Sequence, residues 1–130
     1  MTTFTQFGNS PGDCRDSNGY YYDRFRFGSI SLDGCKNDCL TCEGQYASSL
    51  DLKGLSFDKQ FYICSCYFED GAADVEKCNG SSYDTSYDGT GEIASIKELD
   101  DWPQTYCYTT GTPPTETESV SHLLLCLPLY

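Results

Sequence analysis

The chain has 130 residues, the size of one domain, and a formal net charge of −12. The charge is uneven, because residues 66–130 contain 12 acidic residues against 2 basic ones. Such a surface repels nucleic acids and anionic membranes, so we expect neither as a partner. The longest apolar run, residues 123–127, is far shorter than the roughly 20 residues of a membrane-spanning helix, so membrane insertion is not expected either.

Cysteine is the most informative residue type, with nine copies in the chain. Such a density is typical of a disulfide framework or of metal coordination. Zinc is disfavoured, because the C-x-C spacing of Cys64 and Cys66 is tight for two ligands on one ion and the only histidine, His122, lies in the C-terminal tail. Disulfides are therefore predicted, and with them an oxidising compartment.

The predicted location is the cell exterior, the cell surface or an organelle lumen. The first residues, Met1-Thr-Thr-Phe-Thr, show neither the basic start nor the apolar run of an export signal. For an exported protein, we expect this sequence to be the form whose signal has already been removed.

Residues 1–11 predict an extended leader that ends in a Ser10-Pro-Gly-Asp turn. A strand is predicted from Tyr20 to Phe27, because side chains there alternate with a period of two. Phe25 and Phe27 are expected to face the core. The opposite face carries three candidate ligand-binding side chains, Tyr22, Arg24 and Arg26, although a plain solvated face fits the same pattern.

The next element is a predicted helix within residues 29–44, with Ser31 or Asp33 as its cap and Gly44 as its end. One stripe of this helix carries Leu32, Cys35, Cys39 and Cys42, at spacings that place them on the core face.

Two strands follow, at residues 54–57 and 60–68, with a turn at Asp58-Lys59. In the second strand, Cys64 and Cys66 point to the same side, toward the predicted helix. A Cys39–Cys64 bridge together with a Cys35–Cys66 bridge is then geometrically possible. The alternative pairing, Cys35 with Cys64 and Cys39 with Cys66, is nearly as easy to form.

Residues 69–91 are predicted to form loops, and residues 104–109 a last strand, where Cys107 is available to close the domain against Cys14. A Thr/Pro-rich linker is predicted at 110–119 and an apolar tail at 120–130. Nine is an odd number, so one thiol is left over, and Cys126 in the tail is the expected one.

Three more sequence features suggest a metal site, a glycosylation site and a ligand contact. The D-x-S-x-D-G pattern of Asp84, Ser86 and Asp88, with Glu92 at the ninth position, resembles a calcium loop, but the twelfth position is serine; an irregular acidic turn is the alternative. Asn79 opens a glycosylation sequon. Trp102 offers a stacking platform for a sugar or a contact for a protein, or simply packs under its loop.

Several motifs occur in a characteristic order between residues 12 and 108. They are Gly12-Asp-Cys-Arg-Asp-Ser-Asn-Gly-Tyr-Tyr-Tyr-Asp23, Ser31-Leu-Asp-Gly-Cys-Lys-Asn-Asp-Cys39, Gly54-Leu-Ser-Phe57, Cys64-Ser-Cys-Tyr-Phe-Glu-Asp-Gly71 and Gly89-Thr-Gly-Glu-Ile-Ala-Ser-Ile96, followed by Cys107-Tyr108. In these motifs and their spacing the chain resembles the PAN/Apple superfamily, above all the PAN-like modules of cysteine-rich exported proteins of microalgae.

The resemblance implies an α+β fold, in which one helix packs on a curved antiparallel sheet within a single domain at residues 12–109. It implies a Cys14–Cys107 bridge that joins the ends of the domain and two bridges that pin the helix to a strand hairpin. Cys42 and Cys78 are extra to the minimal pattern, and we expect them to form a fourth bridge.

The resemblance also implies binding of proteins or carbohydrates outside the cell. The leading hypothesis is therefore a non-catalytic binding module for a glycan or a protein. The alternative is a structural accessory subunit that docks on an assembly partner through residues 120–130 and its loops. An enzyme is not expected, because the one histidine leaves no base for a Ser or Cys nucleophile. No cofactor is expected, with calcium the one candidate.

Overall fold

The computed structural model of this chain describes residues 3–46, 52–71 and 82–111. In these residues the chain forms one helix and eight strands, which confirms the predicted α+β class. The elements are β1 (Thr5–Gln6), β2 (Asp13–Arg15), β3 (Asp23–Gly28), α1 (Leu32–Tyr46), β4 (Leu52–Asp58), β5 (Ile63–Phe68), β6 (Ser82–Asp84), β7 (Ser95–Lys97) and β8 (Thr105–Thr109).

The centre of the fold is a six-stranded antiparallel sheet in the order β1-β8-β4-β5-β3-β6. Hairpin β4–β5 lies in the middle, with β3 and β8 on either side. Phe25, Leu55 and Cys66 are directly paired across three neighbouring strands, so they share one face, and all three are fully buried. Phe25 faces the core as predicted.

Helix α1 covers this face. Ser31 is its cap, as predicted, because its hydroxyl oxygen accepts a hydrogen bond from the Gly34 N–H at 3.0 Å. Cys35 and Cys39 are fully buried against the sheet, with Leu32 packed beside them. The helix continues to Tyr46, past the predicted end at Gly44.

Two disulfides join the helix to β5, and they connect Cys35 to Cys64 and Cys39 to Cys66. The preferred pairing, Cys35–Cys66 with Cys39–Cys64, is therefore wrong, and the alternative crossing is the observed one. The first cysteine of the helix meets the first cysteine of the strand, which requires α1 and β5 to run in the same direction. Four helical residues rise about 6 Å and two strand residues about 6.6 Å, so the two spacings match.

The opposite face of the sheet is covered by a second layer that the sequence analysis did not predict. This layer is a two-stranded sheet of β2 and β7. Between the two sheets lies a second core, formed by Phe7, Cys14, Tyr22, Tyr67, Ile93 and Cys107. The predicted Cys14–Cys107 bridge is present at its centre.

The ends of the domain differ from the prediction. Residues 5–6 of the expected leader pair with β8, and Phe7 is buried, so this segment belongs to the domain. Thr110 also belongs to it, because its hydroxyl donates to the Leu52 carbonyl at 3.0 Å. Outside the described residues lie the rest of the linker, the tail with Cys126, the sequon at Asn79 and the proposed Cys42–Cys78 bridge.

The three disulfides indicate an oxidising setting, outside the cell or in a lumen. In the described ranges, the one helix is neither long enough nor apolar enough to cross a membrane. Covalent cross-links therefore reinforce both faces of the sheet in a domain of modest size.

Candidate functional site

An open cavity of about 460 Å³ lies on the sheet face that points away from the helix. Its floor consists of side chains from β3, β4 and β5, and its rim is the loop at residues 98–102 between β7 and β8. Cavities of roughly 300–1,000 Å³ are the usual size of small-molecule sites.

The register of the sheet builds the floor. Arg26 pairs with Ser65, and Ser65 pairs with Ser56 on the next strand, so these three side chains form one row across the sheet. Arg24 pairs with Tyr67 in the adjacent row. These positions alternate with the cysteines and phenylalanines of the helix side, which is why a polar floor lies directly behind an apolar core.

A buried polar network anchors one end of the floor. The Tyr67 hydroxyl donates a short hydrogen bond to Asp13 Oδ1 and lies 2.8 Å from Ser56 Oγ. Asp13 Oδ2 is 3.5 Å from Arg24 Nη1. Burial and the charge of Asp13 raise the pKa of Tyr67, so it remains a neutral donor. Burial opposes the charge of Arg24, but its interactions with Tyr67 and Asp13 raise its pKa overall, so it remains cationic.

Aromatic rings hold Arg24 from the other side. Its guanidinium carbon lies 5.2 Å from the centre of the Tyr21 ring and 5.0 Å from that of Tyr87. Its Nη2 also donates to the Tyr87 hydroxyl at 3.1 Å. Arg15 stacks on Tyr21 at 3.5 Å. Arg24 is thus committed to contacts within the protein.

Arg26 is different. It is exposed and lines the cavity, and among the described residues it has neither a hydrogen-bond nor an ion-pair partner. A free guanidinium beside the Ser65 hydroxyl offers several donors to a ligand. Arg26 is therefore the available cation of the floor.

The rim combines one aromatic ring with acidic side chains. Trp102 is half-buried, and its ring centre lies 5.2 Å from that of Phe61 in an edge-on contact. Backbone hydrogen bonds from Trp102 N to Leu99 O and from Thr105 N to Trp102 O fix the loop. Three exposed carboxylates line the same rim: Glu98, Asp100 and Asp101.

Of the predicted ligand-binding residues, the structure brings Arg24, Arg26 and Trp102 to one cavity. The prediction for Tyr22 is wrong. Tyr22 does share a sheet face with the arginines, but the second layer covers it, so it is fully buried and its hydroxyl donates to the Gly91 carbonyl at 2.9 Å. Burial raises its pKa well above the ordinary value.

The serines and Tyr67 of the floor were not predicted from the sequence. The signal was present, because residues 65 and 67 must point away from Cys64 and Cys66 in the same strand. A strand whose one face carries cysteines and whose other face carries Ser and Tyr predicts a polar surface behind the disulfides. The acidic run Glu98-Leu-Asp-Asp101 beside Trp102 is visible in the sequence, but nothing local places it over this floor.

The predicted calcium site does not form a ligand cluster. Asp84 Oδ1 accepts hydrogen bonds from the backbone N–H of Ser86 at 3.0 Å and from its hydroxyl at 2.6 Å, and these bonds lower the pKa of Asp84. Its carboxylate does not converge with those of Asp88 and Glu92. In this structure the segment is a local turn held by Asp84, and calcium binding there stays a prediction.

One convergent group of metal-ligating atoms is found in the described ranges. It consists of the sulfurs of Cys35, Cys39 and Cys64, which lie within 4.8 Å of one another. Each of these sulfurs belongs to a disulfide, so none is a thiolate that can bind an ion. The group reflects two bridges stacked side by side.

The likeness of the chain's motifs to the PAN/Apple superfamily stays a prediction, as do the ligand and the partners that it implies. Comparison of the chain with protein-family models, with curated proteins and with solved structures found no match.

Proposed function

We propose that this domain is a non-catalytic binding module, secreted or on the cell surface, that holds a carbohydrate in the cavity of the sheet. The observation that carries the proposal is the free Arg26 in a row with Ser65 and Ser56, below a rim that contains Trp102. Sugar hydroxyls need many donors and acceptors, and the apolar face of a sugar ring packs well on an aromatic ring.

The buried acidic groups support binding rather than bond cleavage. Asp13 is held by Tyr67 and Arg24. Asp58 accepts hydrogen bonds from the backbone N–H groups of Gln60 and Phe61 and from the Thr105 hydroxyl, at 2.7–2.9 Å. Both carboxylates of the floor therefore stabilise the fold and the hairpin turn.

The test is a titration of the isotope-labelled chain, disulfides intact, with a panel of defined oligosaccharides, followed by NMR. We expect shifts at floor and rim residues. Arg26→Ala and Trp102→Ala should each weaken binding by about 10-fold or more, because each removes a charge-assisted hydrogen bond or a stacking surface. Lys36→Ala is the matched control, since it removes a cation on the helix side of the sheet.

A panel in which no saccharide shifts the cavity residues would overturn the proposal. Equal affinities for Arg26→Ala, Trp102→Ala and the unaltered chain would do the same, because they would place any sugar elsewhere. The folded state of each variant is checked by its amide spectrum.

A second candidate, a structural accessory subunit, is favoured by an apolar tip at one end of the sheet. The tip consists of Ile30, Phe61 and Tyr62, with 88%, 50% and 52% of their surfaces exposed. A hydrogen bond from Ser29 N to Tyr62 O, at 2.9 Å, joins the loop before the helix to the β4–β5 turn. Tyr62 has a φ of 59°, a conformation that costs free energy in a non-glycine residue and is often retained at functional sites.

This candidate predicts that the tagged chain migrates in a larger complex in a native gel of its source extract, and that Ile30→Ser with Tyr62→Ser returns it to the mass of the monomer. Both side chains are exposed, so the fold should tolerate the change. Migration of the unaltered chain as a monomer would rule out the subunit hypothesis and leave the binding module.

A further inference from the structure

We infer that the saccharide bound in the cavity carries a primary amine, so that the ligand is an amino sugar rather than a sulfated, carboxylated or neutral one. This inference rests on the proposed carbohydrate-binding function and narrows its ligand class. Three features of the cavity support it: the charges left free, a serine hydroxyl that no group of the described residues pairs, and the placement of both around one space.

The first feature is the set of charges that the protein does not use itself. Asp13 and Arg24 neutralise each other on the floor. Asp58 is held by three hydrogen-bond donors. These groups contribute little to ligand selection, because their charge is already compensated or solvated within the fold.

The charges that remain are one guanidinium and three carboxylates. Arg26 lies on the floor, and Glu98, Asp100 and Asp101 lie on the rim, with no ion pair or hydrogen bond to any of their side chains among the residues that the structure describes. The cavity mouth is therefore negative on a chain whose net charge is −12. A sulfate or carboxylate would be repelled there, whereas an ammonium group would be attracted.

The second feature is the hydroxyl of Ser65. Its residue is only 4% exposed, it lines the cavity, and it has no hydrogen-bond partner in the described part of the chain. The fully buried side-chain atom without a partner in the described residues is Arg15 Nε, so the Ser65 oxygen is open to the cavity and can pair with a group that enters it. A ligand hydroxyl can replace water as that partner, which favours a polyhydroxylated molecule independently of the charges.

The third feature is the placement of the floor groups relative to the carboxylates of the rim. The hydroxyls and Arg26 come from neighbouring strands and form a flat floor, while the carboxylates come from the loop at 98–102 above it. A sugar ring between them places hydroxyls on Ser65 and Arg26 and an ammonium group against the rim. Trp102, supported by Phe61, provides the aromatic wall on the same side as the carboxylates.

The experiment compares three oligosaccharides of equal length: a glucosamine oligomer, its fully N-acetylated form and a sulfated form. Binding to the disulfide-intact chain is measured by isothermal calorimetry and by NMR. We expect the oligomer with free amines to bind at least about 10-fold more tightly than the acetylated form, because its ammonium groups form charge-assisted hydrogen bonds with the rim carboxylates. The sulfated form should bind most weakly, because the same carboxylates repel it. Added salt should reduce this preference.

The decisive variant is Asp100→Asn with Asp101→Asn. It should bring the affinity for the amine down to that for the acetylated form and leave the acetylated form unchanged. The matched control is Asp70→Asn with Asp88→Asn, which removes two exposed carboxylates that do not line the cavity and should keep the preference.

Each outcome separates the two proposals. Equal affinity for the amine and the acetylated form, or a preference that survives Asp100→Asn with Asp101→Asn, overturns the amino-sugar inference and leaves the carbohydrate site in place. Binding of none of the three oligomers overturns the amino-sugar inference, whereas the carbohydrate site itself is overturned only when the whole saccharide panel also fails to shift the cavity residues. Binding of a trilysine peptide as tightly as the amine oligomer overturns the saccharide part and assigns the cavity to basic proteins.

Discussion

Replacing Cys14 and Cys107 together by alanine is expected to lower the free energy of unfolding by about 4–5 kcal/mol. Their bridge joins residues 93 apart in the sequence, the longest separation among the three disulfides, so its loss frees the most chain entropy in the unfolded state. Typical domains are stable by about 5–15 kcal/mol, so this variant should be marginal at room temperature.

The measurement is equilibrium denaturation in urea, and the matched control is Cys39→Ala with Cys66→Ala. That bridge is equally buried but spans only 27 residues, so about 3.5 kcal/mol should be lost. Losses of equal size, or a larger loss in the control, would show that packing rather than chain entropy decides the contribution of each bridge.

The second large effect is expected for Asp13→Ala. This change leaves the guanidinium of Arg24 buried without its carboxylate and the Tyr67 hydroxyl without its acceptor. Breaking such a buried pair by removing one partner costs about 3–5 kcal/mol, because an uncompensated charge remains in the interior.

The double variant Asp13→Ala with Arg24→Met makes this prediction specific. Since it removes both charges, urea denaturation should show it to be more stable than Asp13→Ala alone. If the second substitution instead adds a further loss, the network contributes through packing, and the assignment of a charge penalty to Arg24 is wrong.

The elements that sequence analysis predicted are those with a local signal. Strand β3, helix α1 with its Ser31 cap, the β4–β5 hairpin and strand β8 all follow from periodicity and turn residues within one element. The Cys14–Cys107 bridge and the α+β class, in contrast, were implied by the resemblance to the PAN/Apple superfamily, and the structure contains both.

The predictions that were wrong, the pairing of the helix cysteines and the exposure of Tyr22, depend on contacts between segments that are distant in the sequence. The direction of α1 relative to β5 decides which cysteines pair, and no local pattern encodes it. Strands β2 and β7 have three residues each, too few for a visible alternation. Missing this layer left Tyr22 on an outer face, although the layer buries it.

In the candidate site, too, residues with a local sequence signal were predicted and contacts between distant segments were not. Arg24 and Arg26 were identified because alternation places them on one face, and Trp102 because of its chemistry. The acidic loop around Trp102 is visible in the sequence, but the place of Glu98, Asp100 and Asp101 at the cavity was not predicted, since it depends on the path of the loop between β7 and β8. Charge near a site is a property of the tertiary structure, and composition alone does not locate it.

The two cores on either side of the central sheet divide the domain into a half that contains the helix and a half that bears the cavity. The helix half is cross-linked within itself by Cys35–Cys64 and Cys39–Cys66, and the half that bears the cavity is cross-linked by Cys14–Cys107. The outer surface of α1 is thus separated from the cavity by the full thickness of the sheet. Residues on that surface are free to change, and to acquire contacts with other molecules, without altering what the cavity binds.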